Sequence, residues 1–302
     1  MKILITGGAG FIGGHTCYRA LDRGHEVFVL DDLSSGRLSN VPPEVADVFE
    51  FSINDPEVEA YIFRTVFPDC VIHLAAQPSL RKSIVNPAAD SLINVTGSVN
   101  IMQLCRYYGS RFVMASTSAV YSSEGSLPFR ESDLPDPDLP YGIAKYAAEI
   151  YTRRLLPRSG IILRYGNVYG PRQIPVGENQ LVPHCVNRIL RSDSFAINGS
   201  GEQTRDFVFA TDIAEANVVA AESDALGVFN IATGIATSVN RVCDLLAIVA
   251  NWNIGFEHVD GKEGETPHSV LDVTKAKDVL GWEARTSIAE GLSITYKYEA
   301  AQ

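Results

Sequence analysis

Tyr141-Gly142-Ile143-Ala144-Lys145 sets a phenol and an ammonium at positions i and i+4. On a helix those positions share one face, so the two groups would sit together. A lysine cation favours phenolate and should draw a tyrosine pKa from ~10 toward neutrality. A phenolate near neutral pH can take a proton from an alcohol while a hydride leaves the same carbon. A tyrosine beside a lysine is also a common surface pair, so the weight of this motif comes from its surroundings. Ser116-Thr117-Ser118 closes the strand before this helix. One of those three hydroxyls would hydrogen-bond the substrate alcohol and help shuttle its proton.

A departing hydride needs an acceptor, and the start of the chain describes one. Lys2–Thr6 is a short apolar run that reads as a buried strand. Gly7-Gly8-Ala9-Gly10-Phe11-Ile12-Gly13 follows, then a helical pattern from Phe11 to about Arg23, stopped by Gly24. Glu26–Leu30 is a second strand that delivers Asp31 at its end. In such a βαβ unit Gly7 permits the tight turn and Gly10 lets a pyrophosphate approach the helix N-terminus. Gly13 lets helix and strand pack closely, and Asp31 is placed for the hydroxyls of an adenosine ribose. A glycine pattern alone is weak; here a strand, a helix, a second strand and a terminal acid agree. Asp31 and Asp32 would repel a 2′-phosphate, which favours NAD over NADP, while nearby Arg37 leaves NADP open.

These groups must be held by a scaffold, and strand and helix patterns alternate along the chain. Strands are expected at Asp47–Phe51, Cys70–Leu74, Arg111–Ala115 and Ile161–Arg164. Helices are expected from Asn54 to about Phe67, from about Pro87 to Tyr108, and from Tyr141 to Leu156. Six strands alternating with helices argue an α/β fold with a doubly wound parallel sheet of Rossmann type. Beyond Arg164 the rhythm breaks. Asn167–Arg172 reads as loop, Asn179–Arg191 as helix, Thr204–Phe209 as strand, and Thr211-Asp212 as the cap of an alanine-rich helix. Val228–Ile231 reads as strand, and helices follow at 238–250, about 273–280 and 288–298. The expected division is a dinucleotide-binding domain over 1–165, rejoined by about 208–232, and a smaller α+β substrate region over 166–207 and 233–302. That region should lie over the carboxyl ends of the strands, where such folds bind ligands.

Composition narrows the class. With 302 residues, 46% hydrophobic and 20% charged, the chain has the balance of a globular protein with a sizeable core. A net charge of −11 would repel nucleic acid and anionic membranes. The five cysteines show neither disulfide nor metal spacing, which fits a reducing, cytoplasmic compartment. The histidines lack an H-E-x-x-H pattern, so no metal is expected. Met1 leads straight into the first strand, leaving no room for a signal peptide, and no apolar run approaches the ~20 residues of a membrane span.

Several motifs stand together in one order: Thr6-Gly7 to Gly13, Asp31-Asp32-Leu33-Ser34-Ser35-Gly36, His73-Leu74-Ala75-Ala76-Gln77, Asn94-Val95-Thr96-Gly97, Ser116 to Tyr121, Tyr141 to Lys145, and Arg164 to Arg172. With Gly201 to Phe207 and the tail Lys275 to Trp282, the chain resembles, over essentially its whole length, the extended short-chain dehydrogenase/reductases that act on nucleotide sugars. The nearest subgroup is the UDP-glucose 4-epimerase type. The resemblance implies Thr117 as the catalytic hydroxyl, Tyr141 as the base, and Lys145 as holder of the nicotinamide ribose. It places NAD contacts at Gly7, Gly10, Phe11, Ile12, Gly13, residues 31 to 36, Leu74, Ala75, Ala76, Gln77 and Asn94. Ser52-Ile53 stands where an adenine-binding aspartate usually begins an Asp-Ile pair. Nucleotide-diphosphate contacts fall on Asn167, Asn179, Gln180, Leu181 and Arg205, with Lys262 in place of an expected arginine, and Asn198 at a position that is often aromatic. A lysine offers charge without a bidentate fork.

Dehydratases and decarboxylases of this family need an added acid at Ser118 or just after it, and Ser118-Ala119 offers none. Oxidation followed by re-reduction is therefore favoured, with inversion at C4 of a UDP-hexose. Other readings are a different nucleotide-sugar enzyme, such as a uronic acid epimerase or a reductase, and a non-catalytic dinucleotide-binding protein; intact Thr117, Tyr141 and Lys145 oppose the last. The resemblance further implies a homodimer through the 87–108 and 141–156 helices, whose apolar residues Leu92, Val95, Val99, Met102, Ala147, Ile150 and Leu155 would either meet across the twofold axis or face only the sheet. It also places Val270 beside the sugar's C2 group, where a small side chain would admit N-acetyl sugars.

Overall fold

Runs such as Lys2–Thr6 and Glu26–Leu30 are buried along almost their whole length because helices cover both faces of the sheet they build. The computed structural model describes residues 1–175, 180–253, 255–261 and 267–302. In chain order the strands are β1 (Lys2–Thr6), β2 (Glu26–Leu30), β3 (Asp47–Phe49), β4 (Cys70–His73), β5 (Arg111–Thr117) and β6 (Gly160–Tyr165). β7 (Asn167–Tyr169), β8 (Phe195–Asn198), β9 (Thr204–Phe209), β10 (Gly227–Ile231), β11 (Ala236–Ser238) and β12 (Phe256–Val259) follow. The main sheet has seven strands in the order β10-β6-β5-β4-β1-β2-β3, all parallel. The chain winds outward from β1 in one direction to β3, then from β4 in the other, so the switch point lies between β1 and β4. The doubly wound expectation holds, with β10 as a seventh strand.

Alternate residues feed two cores. Ile3, Ile5, Val27, Val29, Ile72 and Leu163 pack on one face, and Leu4, Phe28, Leu30, Val71, Met114 and Ile162 on the other. The Phe11–Asp22 helix packs against the Ala210–Glu222 helix, and the Pro140–Leu155 helix covers the other face beside Ser98–Tyr108. β7, β9 and β11 form a second sheet, and β8 pairs with β12. These sheets share a third core built on Tyr169, Val186, Phe207, Phe209 and Leu246.

Some local expectations need correction. The stretch expected as one helix from Pro87 to Tyr108 contains a wide π turn, Leu92–Gly97, between Pro87–Ser91 and Ser98–Tyr108. A further helix, Leu80–Val85, precedes it; Asn86 separates the two by capping Ala89 ahead of Pro87. The helix expected from Asn54 begins near residue 57 and also contains a π turn, Glu59–Phe63. Thr211-Asp212 does not cap its helix: Phe209 holds the cap position with no side-chain bond, while Asp212 accepts the Thr286 N–H at 3.0 Å. Asn167–Tyr169 is strand rather than loop, since it pairs with β9. The strands β8, β11 and β12 are three or four residues long, too short to show a period.

Candidate active site

The glycine turn is closed by backbone contacts. Gly7 adopts φ +71°, and its N–H donates to Leu30 O at 2.8 Å while its carbonyl accepts Gly10 N–H at 3.0 Å. A Cβ on Gly13 would stand 2.0 Å from the Gly7 carbonyl oxygen, so helix and turn meet there with no room for a side chain. Asp31 directly follows β2, with its carboxylate accepting Ala9 N–H and Leu33 N–H, both at 2.9 Å. Burial pushes the Asp31 pKa up, against the pull of those two amides. A Cβ on Gly36 would come 2.8 Å from Asp31 Oδ1, which keeps this loop against the acid. Asp32 accepts both the backbone N–H and the hydroxyl of Ser34, and Ser35 is exposed beside them. Phe11 and Ile12 are half-buried at the helix start.

His73, at the end of β4, is fully buried between Thr6 Oγ1 at 2.8 Å and Ser98 Oγ at 2.9 Å. Burial lowers its pKa to about 3, with Lys145 adding in the same sense, so it is a neutral structural link. Leu74, Ala75 and Ala76 follow, half-buried, with Ala75 N–H donating to Thr6 Oγ1 at 3.2 Å. Gln77 and Asn94 pair reciprocally: Gln77 N–H donates to Asn94 Oδ1, and Asn94 Nδ2 donates to Gln77 O, each at 3.0 Å. Both side-chain amides also reach Asp90 Oδ1. The π turn brings Asn94 to this loop. Ser52 is half-buried with its hydroxyl accepting Asn54 N–H, whereas Ile53 is a core residue whose Cδ1 packs over Gly97.

Thr117 is the last residue of β5, two residues further than the sequence suggested. Its Oγ1 accepts Ala119 N–H at 3.1 Å. Tyr141 lies in the first turn of the Pro140–Leu155 helix, with Lys145 one turn on. Lys145 is buried, and its Nζ donates to Ala115 O at 3.2 Å. That bond seats the helix face bearing Tyr141 and Lys145 against the strand end that carries Thr117. A Cβ on Gly142 would clash with Ala119 O at 2.3 Å, so glycine is required for this close seating. The expected fall in the Tyr141 pKa is not found. Burial pushes it up, and the charge of Asp90 adds to the rise. For Lys145, burial lowers the pKa to about 8, against the opposing charges of Asp90 and Glu149.

Behind these groups lies a buried polar network. Glu149 receives Ser116 Oγ at 2.6 Å and Arg164 through Nε at 2.9 Å and Nη2 at 2.6 Å. The Arg164 guanidinium stacks on the Tyr121 ring at 4.8 Å, and Tyr121 donates to Asn230 Oδ1 at 2.7 Å. Asn230 in turn donates to Phe129 O and Asp272 O. The tail segment is thereby tied to the strand end: Phe129 N–H donates to Val270 O, and Asp272 N–H to Phe129 O.

Of the expected nucleotide-sugar residues, Asn167 is half-buried on β7 and Arg205 lies on β9, with Nη1 donating to Thr204 O at 2.8 Å. Gln180 holds the N-cap position of the Leu181–Leu190 helix, and Leu181 packs on the third core. Asn198 ends β8 and its carbonyl accepts Gln203 Nε2. Val270 is half-buried and, unlike Leu271, joins none of the hydrophobic clusters among the described residues. Asn179 and Lys262 lie outside the described residues. Among the described residues no group of three His, Cys, Asp or Glu side chains is arranged to hold a metal ion, and no helix is long and apolar enough to cross a membrane.

Residues 3–232 match the NAD dependent epimerase/dehydratase family. The chain belongs to that family. It is 38% identical to a putative UDP-glucose 4-epimerase of Methanocaldococcus jannaschii, over 96% of this chain and 95% of the relative. The crystal structure of a UDP-glucose 4-epimerase from Thermotoga maritima with UDP-glucose superposes with a TM-score of 0.95 at 39% identity, covering 100% of this chain and 99% of that one. A UDP-N-acetylglucosamine 4-epimerase from Methanobrevibacter ruminantium, in complex with UDP-N-acetylmuramic acid, gives 0.93 at 30% identity, covering 100% and 98%. An epimerase/dehydratase needs a cradle for NAD, and the chain has one: the Gly7 turn at positive φ, the helix N-terminus after Gly10, and Asp31 directly after β2. Sequence reasoning about the epimerase/dehydratase site passed over Asp90, Glu149, Asp206 and Asn230, all buried. Asp206 accepts Thr233 N–H and Oγ1, Gly234 N–H and Leu271 N–H, and so joins β9 to the tail. An isolated acid in a helical or strand pattern carries no mark of such a role; only Asp206, within the Arg205-Asp206-Phe207 motif, offered a signal.

Proposed function

We propose that the chain is an NAD-dependent 4-epimerase of UDP-hexoses. The observation that carries this reading is the seating of Tyr141 and Lys145 against the end of β5, through the Lys145–Ala115 bond, beside Thr117 and with no carboxylate at Ser118 or Ala119. NAD bound in this cradle would supply a two-electron hydride acceptor able to return the hydride to the same carbon. Gly7, Gly10, Gly13, Asp31 and the loop to Gly36 would hold its adenosine diphosphate half; Leu74 to Gln77, Asn94 and Lys145 would hold the rest. Tyr141 takes the C4 hydroxyl proton and gives it back. Thr117 hydrogen-bonds that hydroxyl and relays the proton. Lys145 must favour the phenolate, because burial and Asp90 oppose it. Inversion follows if the keto sugar turns over before reduction. A dehydratase or decarboxylase needs an acid beside the hydroxyl motif, and neither Ser118 nor Ala119 is one.

In this reading residues 1–165 with 208–232 hold the cofactor, while 166–207 with 233–302 hold the nucleotide sugar through Asn167, Asn179, Gln180, Leu181, Arg205 and Lys262. A small residue at Val270, outside the cores, supports acceptance of N-acetylhexosamines. A homodimer is supported by exposed Ile84, Val85 and Leu92, and by Ile143, Ile150 and Tyr151 on the Pro140–Leu155 helix. Met102 is fully buried in the core and so cannot be a contact. Light scattering should find twice the chain mass at micromolar concentration; a monomer would dispose of the dimer.

The test incubates the pure protein with a panel of UDP-sugars, without added co-substrate. An isomer of equal mass is expected from UDP-glucose and UDP-galactose, and loss of water or carbon dioxide would refute the reading. Tyr141→Phe should retain fold and NAD binding and lose ~10²–10⁴-fold in turnover. Turnover within about threefold of the parent would remove Tyr141 from the assigned role.

A further inference from the structure

A fully enclosed ammonium needs an opposing charge nearby, because an ion taken out of water is strongly disfavoured unless it is paired. Lys145 is such a group, 2% exposed, and its Ala115 partner is a neutral carbonyl. Two carboxylates act on it, Asp90 and Glu149. Glu149 is already engaged by both arms of Arg164 and by Ser116. Asp90 is different. It is 1% exposed and makes no ion pair among the described residues. Its Oδ1 accepts Gln77 Nε2 at 2.8 Å and Asn94 Nδ2 at 2.9 Å, while its buried Oδ2 has no hydrogen-bond partner among the described residues.

Local sequence puts Asp90 there. Asn86 caps the turn with Pro87 at its first position, and Asp90 N–H donates to Asn86 O at 3.1 Å. The Pro87–Ser91 turn packs against the Pro140–Leu155 helix, which carries Tyr141, Lys145 and Glu149. From the other elements around Lys145, β4 brings His73, which is neutral, and β6 brings Arg164, neutralised by Glu149, and Tyr165, whose hydroxyl bonds Asn217 at 2.5 Å.

We propose that Asp90 is the counter-charge of Lys145, a positioning residue that keeps the ammonium protonated in the closed site while its other oxygen locks Gln77 to Asn94. The proposal rests on the roles given above to Tyr141 and Lys145. One acid then does two jobs: Oδ1 fixes the loop after β4 to the π turn, and its charge raises the proton affinity of both Tyr141 and Lys145, on each of which burial acts more strongly still. The sign is the same for both members. A negative neighbour raises the pKa of an ammonium and of a phenol alike. Removing it should therefore move both limbs of an activity–pH profile to lower pH, by about one unit. A purely structural clamp would lower activity at every pH and leave the limbs in place.

The experiment compares the parent with Asp90→Asn, which keeps the shape and an acceptor oxygen, and Asp90→Glu, which keeps the charge. The first readout is the NAD⁺ dissociation constant by calorimetry from pH 6 to 10. Its break marks deprotonation of Lys145 and needs no sugar, so it stands even if the protein epimerises nothing. The second is the kcat–pH profile on UDP-galactose. The expected result is a downward shift of about one unit in the NAD⁺ break and in both activity limbs for Asp90→Asn, with Asp90→Glu close to the parent. Breaks within ~0.3 units of the parent in Asp90→Asn would overturn the proposal, whatever the loss of activity. Should the asparagine variant fail to fold, Asp90→Ser serves as the neutral variant. If neither neutral variant folds while Asp90→Glu does, the charge serves folding and the proposal falls.

Discussion

Arg164→Met is the sharpest perturbation of the network behind the site. Arg164 and Glu149 are 1% and 0% exposed, and two hydrogen bonds of 2.9 and 2.6 Å join them. Methionine fills most of the volume and removes the cation. Glu149 would keep only the Ser116 hydroxyl, at 2.6 Å. Breaking a buried pair from one side costs ~3–5 kcal/mol, because a buried charge is left uncompensated. Loss of the guanidinium from the Tyr121 ring adds ~0.5–2 kcal/mol. A loss of about 4 kcal/mol or more is expected, against a total of roughly 5–15 kcal/mol for a folded protein. The double variant Arg164→Met/Glu149→Leu removes both charges and leaves Ser116 without its acceptor, a cost of ~1–3 kcal/mol. Apolar replacement of a whole buried pair is often neutral or better, so the double should recover at least half of the single variant's loss. Urea unfolding at pH 7 reads both values from the midpoints, provided the slopes agree. A single variant less than ~1 kcal/mol below the parent, set against the ~3–5 kcal/mol expected of a broken buried pair, would refute the reasoning. So would a double variant no more stable than the single.

His73 gives a prediction in pH. Its pKa falls from 6.5 in the unfolded chain to about 3 in the fold, through burial first. The unfolded chain therefore binds the extra proton between those values, and stability contributed by neutral His73 is full above pH 6.5 and lost on acidification toward pH 3. The slope should be up to ~1.4 kcal/mol per pH unit; urea midpoints from pH 4 to 6 should flatten by that amount in His73→Asn, and an unchanged slope would count against it. Val270→Tyr should lose turnover of UDP-N-acetylhexosamines by roughly 10–100-fold, as one overpacked group costs ~1–3 kcal/mol, while plain hexoses are largely spared. Equal loss on both substrate classes, or a parent inactive on N-acetyl sugars, would show that another side chain sets the pocket.

The sequence alone determined the elements whose signal is local. The alternation of apolar strands with helices announced the parallel sheet, and β1, β2, β4 and β6 fall within a residue or two of their expected ends. The glycine turn, the terminal Asp31 and the i, i+4 pair of Tyr141 and Lys145 were legible because their spacing is itself the geometry. Tertiary structure decided what depends on distant neighbours. β10 becomes a sheet strand by pairing with β6, and the Pro87–Tyr108 stretch opens into a π turn that presents Asn94 to Gln77. The direction of the Tyr141 pKa followed from burial and from Asp90, an acid far away in sequence, rather than from the lysine four residues on. Nothing in the sequence pairs Glu149 with Arg164, yet they form a fully buried ion pair behind the strand end. Spacing along a chain reports which side chains share a face. The field at a buried atom depends on every charge the fold brings near it and on the water the fold removes.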